Sequence, residues 1–392
     1  MFAHRTAQFE GIPNRLYRQK EAIIREDKPF FDLISANVHY HGVQYPQAIL
    51  KNALKNAVRQ AKIYRPDAAG QWVARTAIQK YYEQEGFALA SDQIMLTPGT
   101  SVSYQYLFQL FANPGDEILC PIPSYPLFDA IAALSDTRIT YYRLTPSERW
   151  NIDFNDLERK ITPKTRAIVL ISPHNPTGAM ATSLEIERLC DIAHRFQLPI
   201  ISDEVFSSFI LNGKKLLRPS GMIAPLVLLL NGISKMLALP GIKIGWIGIL
   251  GDASLVKKAT RILQGMADTF LPISELSQFA LPTLLKEGTD FLKRYQEEIK
   301  RRYAIAVSIL SSAPGLSFLP PEGGFYITLQ IKNKKVNEEK VALMLLEKEG
   351  ILIHPGYFYG LPPGSLVMSF ILKPTLLKKS FEKIIRYCQL CK

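Results

Sequence analysis

No apolar run in this 392-residue chain approaches the roughly 20 residues needed to cross a bilayer, so no membrane-spanning helix is expected. Residues 1–17 lack the charged-then-apolar profile of a secretion signal, and the chain reads as cytoplasmic. Cysteine is scarce. The four residues Cys120, Cys190, Cys388 and Cys391 show no framework spacing, which argues against a disulfide scaffold. Cys388 and Cys391 form a lone CxxC with no second pair and no nearby histidine, so they read as two thiols on the last helix and no metal is expected. Repeats and low-complexity segments are missing as well. The formal net charge of +12 raises the question of nucleic acid, but the basic residues are scattered. Their densest clusters, at 300–302, 332–335 and 378–379, fall on helix-like or turn-like segments where a solvated face is the default, so a nucleic-acid partner is not expected. A basic surface still favours anionic ligands.

What remains is an ordinary globular composition, 47% hydrophobic and 21% charged. Single cores rarely grow beyond about 250 to 300 residues, so the length suits two compact units. Residues 1–44 look like an arm, with a helix-like segment at 15–24 and an extended piece at 30–35. In 45–62, Ile49, Leu50, Ala53, Leu54 and Ala57 share one helical face, with Pro46 in the first turn where its missing N–H costs little. A break at 67–70 precedes a second helical pattern over 71–84. Short apolar runs then recur at 93–97, 117–121, 138–142, 167–171, 199–202, 226–230 and 244–250, separated largely by helical patterns. That alternation predicts an α/β fold with a mostly parallel seven-stranded sheet sandwiched by helices. The clearest helix begins at Thr182, where Glu185 completes a capping box.

After residue 250 the pattern turns helical to about 312, interrupted at Pro272. Strand-like 325–331 and 366–372, with helices near 337–348 and 374–389, predict a smaller α+β domain to which both termini contribute. The expected division is an arm at 1–44, a large domain at 45–275 and a small domain at 276–392.

Ligands of open α/β sheets bind at the carboxyl ends of strands, so the residues following each run carry the chemistry. Gly99, Thr100 and Ser101 open a helix whose unpaired N–H groups suit a phosphate, although small residues also make tight turns. Later runs deliver Tyr125, then Asn175 within Asn-Pro-Thr-Gly, then Asp203-Glu204, and finally Ser234-Lys235. Each has a plain structural reading. Lys235 can be a solvated loop lysine, Asp203 a helix cap, Asn175 an Asx turn before Pro176, and Tyr125 part of the core.

In order, however, Asn-Pro-Thr-Gly, Asp203-Glu204 28 residues after Asn175, Ser234-Lys235 another 32 on, and Pro240-Gly-x-x-x-Gly245 resemble the class I/II aminotransferases of the pyridoxal phosphate fold type I superfamily. Pro114-Gly-Asp116, Glu322-Gly-Gly-Phe-Tyr326 and His354-Pro-Gly356 extend the resemblance over nearly the whole chain. It implies a pyridoxal 5'-phosphate cofactor, an amino donor and a keto acceptor, and a homodimer with shared active sites. Residue by residue, it implies that Lys235 forms a Schiff base with the cofactor aldehyde and then moves the substrate's α-proton. Asp203 would pair with the pyridine nitrogen, Asn175 would bond the phenolic oxygen, and Tyr125 would stack on the ring. Gly99, Thr100, Ser101 and Ser234 would surround the phosphate, with Tyr64 reaching in from a neighbouring subunit.

Three positions depart from the family pattern. Phe206 stands where the family has a tyrosine donating to the phenolic oxygen. Lys243 replaces an arginine on the phosphate and supplies charge without the bidentate fork. Val367 occupies the place of the arginine that clamps the substrate α-carboxylate, and no arginine lies anywhere in 303–385. Segment 35–38, where the family tends to carry a glycine near that carboxylate, is altered too. These changes imply an aminotransferase with an atypical amino substrate. A pyridoxal phosphate-dependent lyase or decarboxylase is the alternative, and a non-catalytic binding protein on the same fold is a further one.

Overall fold

In the computed structural model, which describes every residue except 1, 10, 12, 220, 334, 391 and 392, the first strand β1 (Phe31–Asp32) belongs to the arm. Then come β2 (Ile94–Thr97), β3 (Glu117–Ile122), β4 (Arg138–Pro146), β5 (Trp150–Ile152), β6 (Thr165–Ile171), β7 (Ile200–Asp203), β8 (Leu226–Gly232) and β9 (Gly245–Gly251). From β2 onward they form one sheet in the order β2-β9-β8-β7-β6-β3-β4-β5. Pairs β3–β4, β3–β6, β6–β7 and β7–β8 are parallel, whereas β9 runs against both β2 and β8. The seven expected strands are all present. A short turn after β4 adds β5 as an antiparallel edge strand, which the sequence pattern did not separate from its neighbour.

The continuous apolar character of β8 follows from helices on both faces. Leu228 and Leu230 join a cluster with Tyr104, Phe108 and Leu263, and the alternating Val227 and Leu229 join another with Leu189 and Ile192. The α-helices up to residue 311 are, in chain order, α1 (Arg15–Arg25), α2 (Gln47–Gln60), α3 (Trp72–Gln84), α4 (Thr100–Phe111), α5 (Phe128–Leu134), α6 (Phe154–Arg159), α7 (Ser183–Phe196), α8 (Ile233–Met236), α9 (Ala253–Asp268), α10 (Glu275–Glu287) and α11 (Thr289–Ser311). At the start of α7 the expected capping box is formed: Glu185 N–H donates to Thr182 Oγ1 at 3.3 Å, and Thr182 N–H donates to Glu185 Oε2 at 2.9 Å.

The C-terminal part adds β10 (Leu316–Phe318), β11 (Tyr326–Ile331), α12 (Glu338–Glu349), β12 (Ile351–Leu352), β13 (His354–Pro355), β14 (Ser365–Ser369) and α13 (Pro374–Leu390). Its antiparallel sheet has the order β10-β11-β14-β13. Strand β1 pairs in parallel with β12, so the arm is tied to C-terminal structure. Cys388 is buried on α13, and Cys391 lies outside the described residues. Among the described residues no helix is long and apolar enough to cross a membrane, and no group of three or more His, Cys, Asp or Glu side chains could hold a metal ion.

Candidate active site

Parallel strands present their carboxyl ends on one edge, and register brings three of the singled-out residues there. Asp203 closes β7, with Ile171 of β6 and Leu230 of β8 as its cross-strand partners. Asn175 follows four residues after the end of β6, and Lys235 three after the end of β8. The turn between β8 and α8 depends on Gly232, since a Cβ there would lie 2.8 Å from the Ile244 carbonyl oxygen. Close approach of the returning chain thus fixes where α8 begins. Asn231 holds the same turn, donating from Nδ2 to Ser207 Oγ at 3.1 Å and accepting from Gly232 N–H at 2.7 Å.

The Lys235 amine has no hydrogen bond or ion pair among the described residues, and burial pulls it down from 10.5 to about 8. Asp203 is buried, which raises its carboxyl above the usual range; the Val205 N–H at 2.9 Å and the Tyr104 hydroxyl at 2.8 Å act in the opposite sense. Its bond to Val205 is local, whereas Tyr104 reaches it from α4. Asn175 is not an Asx turn, because its buried Oδ1 has no partner. His174 beside it meets Thr177 Oγ1 through Nδ1 at 2.9 Å, leaves Nε2 unpartnered, and is kept neutral by burial that pushes it down to about 3.

At the start of α4, Gly99 has φ of 139°, a left-handed value that favours glycine, and Thr100 and Ser101 follow as the first helical residues. The first-turn N–H groups of a helix have no intrahelical partner. Gly245 packs against this turn so closely that a Cβ on it would lie 3.0 Å from Gly99 Cα. Ser234 is half-buried on α8, and Lys243 is exposed in a left-handed conformation just before β9. Tyr125 is 45% exposed after β3, so it is not core. Phe206 is buried and meets Phe325 edge-to-face at 5.1 Å and Tyr326 at 6.3 Å. Tyr64 stands apart: its ring is 68% exposed on the loop after α2, and no hydrogen bond or ring contact joins it to the others among the described residues.

Sequence reasoning missed Tyr104, whose place on a buried helical face looks like packing alone. It also missed the groups behind Asp203. Glu204 accepts from Arg218 Nε at 2.7 Å and from the Tyr82 hydroxyl at 3.3 Å, and Tyr82 in turn accepts from Trp246 Nε1 at 3.0 Å. Val367 is completely buried in β14, opposite Thr328 of β11 and His354 of β13.

Against known proteins, the family model for aminotransferase class I and II matches residues 31–384. The chain belongs to that family. The aminotransferase is 30% identical to the glutamate-pyruvate aminotransferase AlaA of Haemophilus influenzae, over 86% of this chain and 85% of that one. It is 27% identical to the arginine–pyruvate transaminase AruH of Pseudomonas aeruginosa, over 86% of each. A solved aminotransferase from Escherichia coli superposes with a TM-score of 0.89 at 25% identity, covering 99% of this chain and 98% of that one. The alanine aminotransferase of Pyrococcus furiosus shares the fold at a TM-score of 0.90, over the full length of both chains. The enzyme is pyridoxal phosphate-dependent, with a fold type I architecture. The buried, unpartnered end of the Asn175 amide, which offers a donor once the amide is turned, and the unpaired Lys235 amine are groups that such a cofactor would satisfy, so the residues present fit it.

Proposed function

We propose that this aminotransferase acts on an amino substrate that does not present a carboxylate to an arginine at position 367. The observation that carries this reading is Val367 itself: its side chain is fully buried among Thr328 and His354, so neither charge nor space is offered to an anion there. Burying a carboxylate unpaired costs several kcal/mol, enough to exclude ordinary binding at that point.

Bound pyridoxal phosphate supplies an electron sink conjugated to the substrate's α-carbon. Around it, Lys235 Nζ would hold the cofactor and then move the α-proton; its amine, lowered to about 8, is neutral more often near physiological pH than a free lysine. Asp203 would face the ring nitrogen and hold its proton, oriented by Tyr104 and Val205. Asn175 would bond the phenolic oxygen, which requires the amide orientation that turns its donor inward. Tyr125 would cover the ring. The α4 terminus at Gly99, Thr100 and Ser101, with Ser234 and Lys243, would bind the phosphate. Tyr64 would complete a second subunit's site, and its exposure alongside Trp72 and Phe270 supports a homodimer. On this reading residues 45–275 form the cofactor domain and the remainder forms the domain that closes over it.

The test is a panel of amino compounds added to the holoenzyme. Amines and amino-acid derivatives without a free carboxylate should convert the bound cofactor to its pyridoxamine form. If only ordinary α-amino acids do so, the atypical-substrate reading fails.

A further inference from the structure

Directly opposed residues of an antiparallel pair point to the same side of a sheet, so His354 lies beside Val367 on one face. Its imidazole is buried between two hydroxyls: Tyr17 Oη is 3.0 Å from Nε2, and Tyr359 Oη is 3.0 Å from Nδ1. Burial pushes the histidine down to about 4, so it is neutral and owns one N–H donor and one bare nitrogen. One tyrosine therefore gives its proton to the ring and the other receives one.

Burial decides which. Tyr359 is 4% exposed, and its hydroxyl has no other partner among the described residues. Were it to accept from Nδ1, its own proton would be buried without an acceptor, the costly case. Tyr17, on α1, is 36% exposed and can turn a proton outward. The chain of bonds thus runs from the Tyr359 hydroxyl to Nδ1 and from Nε2–H to Tyr17 Oη. Tyr17 is left with a free O–H.

The relay adjoins the candidate site. The Tyr359 carbonyl accepts from Ser124 N–H at 2.8 Å, immediately before Tyr125. Tyr125 is also within electrostatic range of Tyr17, Tyr326 and Tyr359. The cation that acts on His354 is already engaged, Lys20 Nζ lying 3.1 Å from Asp32 Oδ2. What this corner offers is a neutral donor.

We propose that Tyr17, positioned by His354 and Tyr359, is a specificity-determining contact that donates to an uncharged oxygen of the amino substrate, such as an amide, ester or hydroxyl oxygen. This deepens the proposed function and rests on it. The test is a spectrophotometric binding titration of the pyridoxal phosphate holoenzyme at fixed pH with L-alaninamide, L-alanine and isopropylamine. These probes share a branched carbon and differ in carrying a neutral oxygen, a carboxylate or neither. With each affinity expressed for the free-base amine, wild-type enzyme should bind L-alaninamide about tenfold more tightly than isopropylamine, the scale of one hydrogen bond, and more tightly than L-alanine. Tyr17→Phe should abolish the tenfold advantage and leave isopropylamine within about twofold of wild type. L-alanine binding as well as the amide, an unchanged amide affinity in Tyr17→Phe, or an equal loss for all three probes would overturn the proposal. Binding is read before turnover, so a holoenzyme that orders the probes as expected but never reaches the pyridoxamine form counts against the proposed function alone.

Discussion

Replacing Lys235 by methionine keeps the buried stem and removes the charge, and in the apoprotein it should raise stability. The amine has no partner, and burial lowers it from 10.5 to about 8, which corresponds to roughly 3 kcal/mol against the charged form. Residual solvent contact of the half-buried side chain reduces the expected gain to about 1–3 kcal/mol. The sign with pH follows from linkage. The folded chain holds this proton less tightly than the unfolded chain, so the penalty is complete below about 8, declines between about 8 and 10.5, and vanishes above. The advantage of Lys235→Met near pH 9.5 should therefore be about half that near pH 7. Urea unfolding of the two apoproteins at both pH values measures it. In a chain of this size the neutral-pH gain should appear as a Tm rise of about 1–4 °C. Equal stability at neutral pH, or a gain that does not shrink at alkaline pH, would refute the argument that burial of an unpaired amine is stored strain at this site.

Tyr104→Phe removes the hydroxyl that donates to Asp203 Oδ2 at 2.8 Å, so the Asp203 carboxyl should rise further. Pyridoxal phosphate affinity, measured by titration into apoprotein, should fall about tenfold, the scale of a hydrogen bond to a charged group; an unchanged affinity would mean that Tyr104 only packs. On the proposed cofactor placement, Phe206→Tyr would put a donor beside the ring's phenolic oxygen and favour its deprotonated form, so the absorbance of the bound cofactor should titrate at lower pH than in wild type. A titration midpoint that does not move would show that the missing hydroxyl is not what sets it.

Local signals made the large sheet legible. The β8 run is apolar from Leu226 to Leu230 because both of its faces are covered, and the Thr182–Glu185 capping box marks a helix start from four residues of sequence. The ordered motifs singled out Lys235, Asp203 and Asn175, and parallel strands deliver the loops that carry them to one edge. Strand β5 was not legible, since a three-residue edge strand joined by a tight turn has no periodicity of its own.

By itself, then, the sequence determined the fold class and the family, and it singled out the lysine, aspartate and asparagine of the candidate site. Only the tertiary structure decided what those groups rest against. Tyr104 meets Asp203 across 99 residues of chain, and Tyr17 meets His354 across 337. Neither pairing leaves a trace in local spacing, because it depends on the placement of whole helices and sheets. The same is true of Val367. Its burial, and the histidine beside it, come from three strands brought together in space.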